Sequence, residues 1–258
     1  MTGGMATIAG GVLAGYVTFL GGEDPLERER FAVYLLSASI MNAPAAIVMS
    51  KILIPELYRD KINSSLEVSS SSLGANLIDA LARGAADGLK LAMNIGAMLL
   101  AFIALIAALN YVFFAIGDVF GVNAIISENT NGAFNSLSLE YILGQIFRVL
   151  AFAIGVDWQE SLQVGSLLGQ KVVVNEFVAY LSLSDMVAAG NLNSKSVIIA
   201  TYALCGFANF SSIAIQIGGI GGMAPSQQSN ISKLGLRALL AATIATMMTG
   251  SIAGALMT

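Results

Sequence analysis

Five stretches of this chain carry no formal charge: residues 1–20, 31–50, 91–117, 196–232 and 238–258. A helix crossing the hydrocarbon core of a bilayer needs about 20 predominantly apolar residues, and each stretch meets or approaches that length. No water reaches a bare backbone in lipid, so spans of this kind fold as helices. The expected class is an all-α integral membrane protein. Composition agrees: of 258 residues, 12 are basic and 16 acidic, or 11%, against about 25% in a soluble domain.

The same inventory removes several functions. Histidine is absent, so the chain holds no imidazole base, imidazole metal ligand or Ser-His triad. Cys205 is the single cysteine, which excludes a disulfide within one chain and leaves no zinc spacing. A net charge of −4 without a basic cluster lacks the footprint of nucleic-acid binding, and no nucleic-acid partner is expected. An intramembrane enzyme finds little support, since neither paired intramembrane carboxylates nor a serine–lysine pair on one helix is evident. The 27 glycines and 4 prolines suit helices packed closely through small residues.

The run 196–232 is too long for one span, and Pro225 with the polar residues after it is expected to end its helix near Ala224. Residues 139–156 are apolar and aromatic with Glu140 and Arg148 among them, which reads as an interfacial amphipathic helix. Residues 162–183 are apolar but hold Lys171 and Glu176 near the middle. A through-going helix would carry two ionisable groups to mid-membrane. A hairpin that enters and leaves on one side, with both groups facing a polar cavity, costs less.

With that hairpin re-entrant, Lys51, Arg59, Lys61, Arg83, Lys90, Lys233 and Arg237 fall on one side, and Arg28, Arg30, Arg148 and Lys195 on the other. The positive-inside rule makes the first side cytoplasmic and puts the C-terminus outside. The expected organisation is an interrupted helix and a following span over 1–57, and a mobile Ser-rich linker with an amphipathic segment over 58–90. A long scaffold helix over 91–117 and an external loop with the interfacial helix over 118–160 come next. A re-entrant hairpin over 161–183 precedes a second interrupted helix and a final span over 196–258.

The first span of each terminal pair is rich in Gly and small polar residues: GGMATIAGGV at 3–12 and CGFANFSSIA at 205–214. These residues lower helix propensity and invite unwinding. Interrupted segments in corresponding positions point to the binding site of a secondary transporter, although such residues also serve close helix packing. Glu176 marks function by default, a pair with Lys171 being the structural alternative. Asn209 and Ser212 lie three apart on one helix face. Together with a carboxylate, which accepts from two vicinal hydroxyls, they suit a sugar or polyol. Phe207 offers an aromatic wall or core packing. Thr7 and Ile8 stand where unwinding frees backbone carbonyls, an all-oxygen site for a hard monovalent cation. A Thr in a membrane helix also bonds back to its own carbonyl. Asn94, Asn110 and Gln216 are expected to bridge neighbouring helices.

Four strings carry a resemblance: GGMATIAGGVLAGY (3–16), ALARGAADGLKLAMNIGAMLLAFIALIA (80–107), NEFVAY (175–180) and ALCGFANFSSIAI (203–215). The chain resembles, in order and over its whole length, the concentrative nucleoside transporters, with NEFVAY and CGFANFSS the most specific motifs. The resemblance implies an inverted-repeat, elevator-type importer with interrupted helices and a re-entrant hairpin, coupled to a cation, sodium first, and working as a homotrimer. It implies that Glu176, Asn209 and Ser212 contact the ribose, that Phe207 lines the same pocket, and that Val12 touches the base. Thr7, through its hydroxyl and backbone, and Ile8, through its carbonyl, would take part in the sodium site. No cofactor is implied beyond that coupling ion.

The family's N-terminal helices, its interfacial helix pair and its first re-entrant hairpin have no counterpart here, and Met1 matches a position inside the fourth family helix. The chain is therefore expected to be a C-terminal piece that does not transport alone. Its compact form, without long tails, resembles bacterial members, which places it in the inner (plasma) membrane as a multi-pass protein. Two alternatives stay open from the sequence: a proton-coupled nucleoside symporter with Glu176 titrating, and a truncated membrane fragment without transport.

Overall fold

A computed structural model describes residues 1–57, 76–223 and 225–256 of the chain. The linker expected at 58–72 and the helix end expected at Ala224 lie outside the described residues. All regular structure among the described residues is helical.

A short helix, α1 (Thr2–Ala6), is followed after a break by α2 (Gly10–Gly21). The next helix, α3 (Pro25–Leu53), starts on a sequence-legible signal. The Asp24 carboxylate accepts from Leu26 N–H at 2.9 Å, and Pro25 takes the first helical position, where its missing donor would be an orphan anyway. With 29 residues, α3 is about 43 Å long, ample for a hydrocarbon core of ~30 Å. Val33, Ile40 and Ile47 stand exposed along it, as expected of a lipid-facing stripe.

A single helix of 43 residues, α4 (Leu77–Val119), comes next. It begins at Leu77 rather than at residue 91, so no boundary separates an amphipathic segment from a scaffold span. Asn76 caps it by accepting from Asp79 N–H at 2.9 Å, and Asp79 pairs with Arg83 one turn on at 3.0 Å. No proline interrupts residues 77–119. The chain then turns through α5 (Val122–Asn129), bent 100° from α4, into α6 (Leu139–Ala153). Asn110 of α4 accepts from Leu139 N–H at 2.8 Å and donates to Glu140 at 2.9 Å, so it bridges α4 to the start of α6.

A helical hairpin follows, α7 (Ser161–Val173) and α8 (Glu176–Ala188). It leads into α9 (Ser194–Leu204) and, after a second break, α10 (Phe210–Met223). The hairpin's entry and exit lie together: Asn193 donates through its backbone N–H to Glu160 at 3.1 Å and through its amide to Asp157 at 3.0 Å. Both arms therefore open on one side, as a re-entrant hairpin must. Its first arm is pressed onto α6 through glycines. A Cβ at Gly165 would lie 2.8 Å from Arg148 N and from Gly144 O, so only a residue without a side chain permits this approach.

A one-turn 3₁₀ segment (Pro225–Gln227) leads directly into α11 (Gln228–Leu256). The polar residues 228–232 thus open the last helix instead of forming a loop. Met1, Lys51 and Arg237 line one cavity of about 560 Å³, which puts those two basic residues at a common end of the molecule. The main core is formed by Tyr16 and Leu20 of α2, Leu35 of α3, and Leu167, Tyr180, Leu183 and Ile199 of the hairpin and α9.

Candidate substrate-binding site

The two helix breaks meet. Gly206, in the second break, has φ +128°, and a Cβ there would run into the carbonyl group of Ala6 at the end of α1. Neither break continues the ladder of its helix: Thr7 is extended at φ −102°, ψ 160°, and Cys205 at φ −65°, ψ 108°. The hairpin tip arrives at the same place, because Asn175 caps α8 by accepting from Val178 N–H at 2.9 Å and Glu176 is the first residue of that helix. A carboxylate at a helix N-terminus is favoured by the aligned peptide dipoles.

Glu176 is 4% exposed, and each of its oxygens is held by a different element. Tyr16 Oη donates to Oε1 at 3.0 Å, and Asn209 Nδ2 donates to Oε2 at 3.0 Å. The Asn209 amide cannot turn away: its Oδ1 accepts from Ser211 Oγ at 2.7 Å, Ser212 N–H at 2.8 Å and Ser212 Oγ at 2.9 Å, the pattern of a residue capping α10. Tyr16 is likewise fixed, its ring stacked on Tyr180 with centroids 4.4 Å apart. A carboxylate has about four lone-pair sites. Tyr16 and Asn209 take one site each and the backbone N–H of Glu176 is also directed at the carboxylate, so the acceptor capacity left over is what the group offers to the cavity it lines.

These groups line a cavity of about 420 Å³, a size usual for small-molecule sites. Val12, Glu176, Phe207, Asn209 and Ser212 all lie on it, together with Tyr16, Phe177 and Gln216. Tyr16 and Phe177 escape a reading of the sequence. Their signal was faint: a phenol on a largely apolar helix, and an aromatic beside the carboxylate at the hairpin tip. Gln216, read as a bridge between helices, lies with its side chain against Gly4 of α1 and also lines the cavity. The Asn94 side chain lies outside the described side chains.

Lys171 departs from expectation. It does not face the cavity and makes no ion pair with Glu176. It is 1% exposed, and its Nζ donates to Ala203 O at 2.8 Å and Thr246 Oγ1 at 2.9 Å. The tip between α7 and α8 turns the two side chains to different neighbours, Lys171 toward α9 and α11 and Glu176 toward α2 and α10. Thr7 and Ile8 lie just outside the cavity lining. Thr7 Oγ1 donates to Gly3 O at 2.8 Å, the back-bond open to it as a membrane Thr, and keeps its lone pairs. Among the described residues, no backbone hydrogen bond across the break ends on the carbonyl of Thr7 or Ile8.

Crossed, interrupted helices with a carboxylate-bearing hairpin between them make up the fold of a multi-pass membrane transporter. A family model described as Na+ dependent nucleoside transporter C-terminus matches residues 34–254, and the chain belongs to the concentrative nucleoside transporter family, whose members are transporters and not enzymes. It is 46% identical over 255 residues to the Bacillus subtilis transporter YutK, covering 98% of this chain and 57% of that protein. To solute carrier family 28 member 3 of Mus musculus it is 40% identical over 271 residues, covering 99% and 35%. A solved structure of CNTnw in an inward-facing, substrate-bound state matches with a TM-score of 0.79 at 40% identity, over 98% of this chain and 55% of that one. The chain thus spans little more than half the length of these bacterial and structural relatives, and less of the animal one.

Proposed function

We propose that this chain supplies the ribose-gripping half of a nucleoside importer coupled to a cation, sodium in the first instance. The observation that carries the reading is Glu176, buried at the cavity wall and held by Tyr16 and Asn209, a carboxylate with acceptor capacity to offer vicinal hydroxyls. Asn209 and Ser212 add polar contacts to the same sugar, while Val12 and Phe207 offer apolar surface to the base. Thr7 and Ile8 contribute oxygens to the coupling ion, and no other cofactor is called for. One cation moving down ~100 mV gains about 2.3 kcal/mol, enough for roughly 50-fold accumulation of a neutral solute.

Packing supports an elevator movement. Helices α1–α3, α6, the hairpin and α9–α11 interlock as one body, α6 lying closely along α7, whereas α4 packs chiefly on α5 and, lightly, on α6 and exposes Leu100, Tyr111 and Phe114. That long helix is the scaffold in this reading, with its apolar surface available to a homotrimer in the inner membrane.

Labelled uridine uptake by proteoliposomes holding the whole protein tests the reading. Uptake is expected with an inward sodium gradient and expected to fall to background in choline buffer at every pH. Acid-stimulated, sodium-independent uptake would replace sodium by the proton; no uptake at all would end the nucleoside reading. Tyr16→Phe keeps the ring and its stacking but drops one donor to the carboxylate. It is expected to raise the uridine KM by up to about tenfold, because a carboxylate no longer held by the phenol must be ordered on binding at a cost of roughly 0.5–1.5 kcal/mol. An unchanged KM would show that Tyr16 only packs.

A further inference from the structure

A buried side chain outside the cavity joins the two breaks. Asn42 of α3 is fully buried, and its Nδ2 donates to Ala6 O at 2.8 Å and to Cys205 O at 2.9 Å. Its Oδ1 accepts from Thr249 Oγ1 of α11 at 2.6 Å. Ala6 ends α1 and Cys205 is the C-cap of α9, so both carbonyls are among the groups a helix terminus leaves without an intrahelical partner. Unpaired at membrane depth, each would carry a desolvation cost. One amide satisfies both, which is geometrically feasible only while the breaks keep a fixed separation. The same face of α3 touches the first break again, where Ile8 N–H donates to Ser39 Oγ at 3.4 Å.

The placement has a consequence for linkage. Thr7 and Ile8 follow Ala6 in the chain, and Phe207, Asn209 and Ser212 follow Cys205. Two sites are coupled only when both bias one shared element. Two N–H groups on a single planar amide cannot follow two carbonyls that move apart, so a shift in either break is felt by the other. We propose that Asn42 is the positioning residue that transmits cation occupancy at the α1–α2 break to the sugar-binding groups at the α9–α10 break, with Thr249 fixing its amide. The proposal rests on the cation-coupled reading above.

The test is the uridine KM of the whole protein in proteoliposomes, measured at low and at saturating sodium. In the wild type the KM is expected to fall by about 5- to 150-fold, the range usual for linked sites, and in Asn42→Ser and Thr249→Val by less than about threefold. Serine has one donor for two carbonyls, and valine preserves the shape of Thr249 without its hydroxyl. Thr249→Ser, which keeps the hydroxyl, is expected to restore the wild-type ratio. A residue that merely stabilises the fold would depress uptake without altering this ratio. Wild-type ratios in Asn42→Ser and Thr249→Val would overturn the proposal and leave cation coupling intact. A wild-type KM indifferent to sodium would overturn coupling and the proposal together.

Discussion

Glu176→Gln is expected to lower nucleoside uptake about 100-fold or more while leaving abundance and melting temperature near those of the wild type. The carboxylate accepts from Tyr16 and Asn209 and turns its remaining acceptor capacity to the cavity. A carboxamide has a single acceptor oxygen. Turned one way, its NH₂ group faces the donor-only Asn209 Nδ2; turned the other, Tyr16 Oη must switch from donating to accepting, and either way the charge is lost and a ligand hydroxyl that meets the NH₂ must accept instead of donate. Two charge-assisted bonds at roughly 1.5–3 kcal/mol each amount to about 3–6 kcal/mol, a factor of roughly 10²–10⁴. The fold itself has no reason to suffer, since a neutral group at membrane depth costs less than an ion. Uridine uptake kinetics, normalised to reconstituted protein, decide the matter; wild-type kinetics in the variant would eliminate the sugar-gripping role.

Gly206→Ala is expected to act on the fold instead. At φ +128° any side chain is strained, and here the added methyl points into the Ala6 carbonyl group. That carbonyl cannot recede without leaving the Asn42 amide, and α1 is backed by α11. Strain of about 1–3 kcal/mol joins an overpacking cost of about 1–3 kcal/mol, together a large share of the 5–15 kcal/mol typical of a native protein. Gly190→Ala is the control: φ is +67° and nothing lies within 4 Å of the added Cβ, so only backbone strain of roughly 1–2 kcal/mol applies. In thermal melts of the detergent-solubilised protein, Gly206→Ala should melt well below Gly190→Ala. Equal melting temperatures would mean that the breaks do not touch as described.

Much of the architecture is written in short-range features. Charge-free runs mark α3 and α11, Asp24-Pro25 and Asn175 start helices where capping rules put them, and clusters of Gly and small polar residues unwind both interrupted helices at Thr7 and Cys205. The carboxylate at the hairpin tip, and the spacing of Asn209 and Ser212, were legible for the same reason, since each depends on neighbours within a turn or two. Family resemblance alone drew attention to Val12, which lies on the cavity. Hydropathy misplaced the start of α4, because a helix rich in Ala and Leu continues past the point where its surface turns polar.

The sequence by itself therefore determined the membrane class and the helix breaks, both of which follow from local periodicity and from the cost of charge in lipid. Only the tertiary structure decided what each buried polar group binds. Tyr16 reaches Glu176 across 160 residues of chain, and Asn42 reaches Cys205 across 163. Lys171, five residues before Glu176, turns instead to Ala203 and Thr246. Hydrogen bonding in a dry interior is settled by which elements cross at what distance, and a crossing of two broken helices leaves no mark on the spacing of residues within either one.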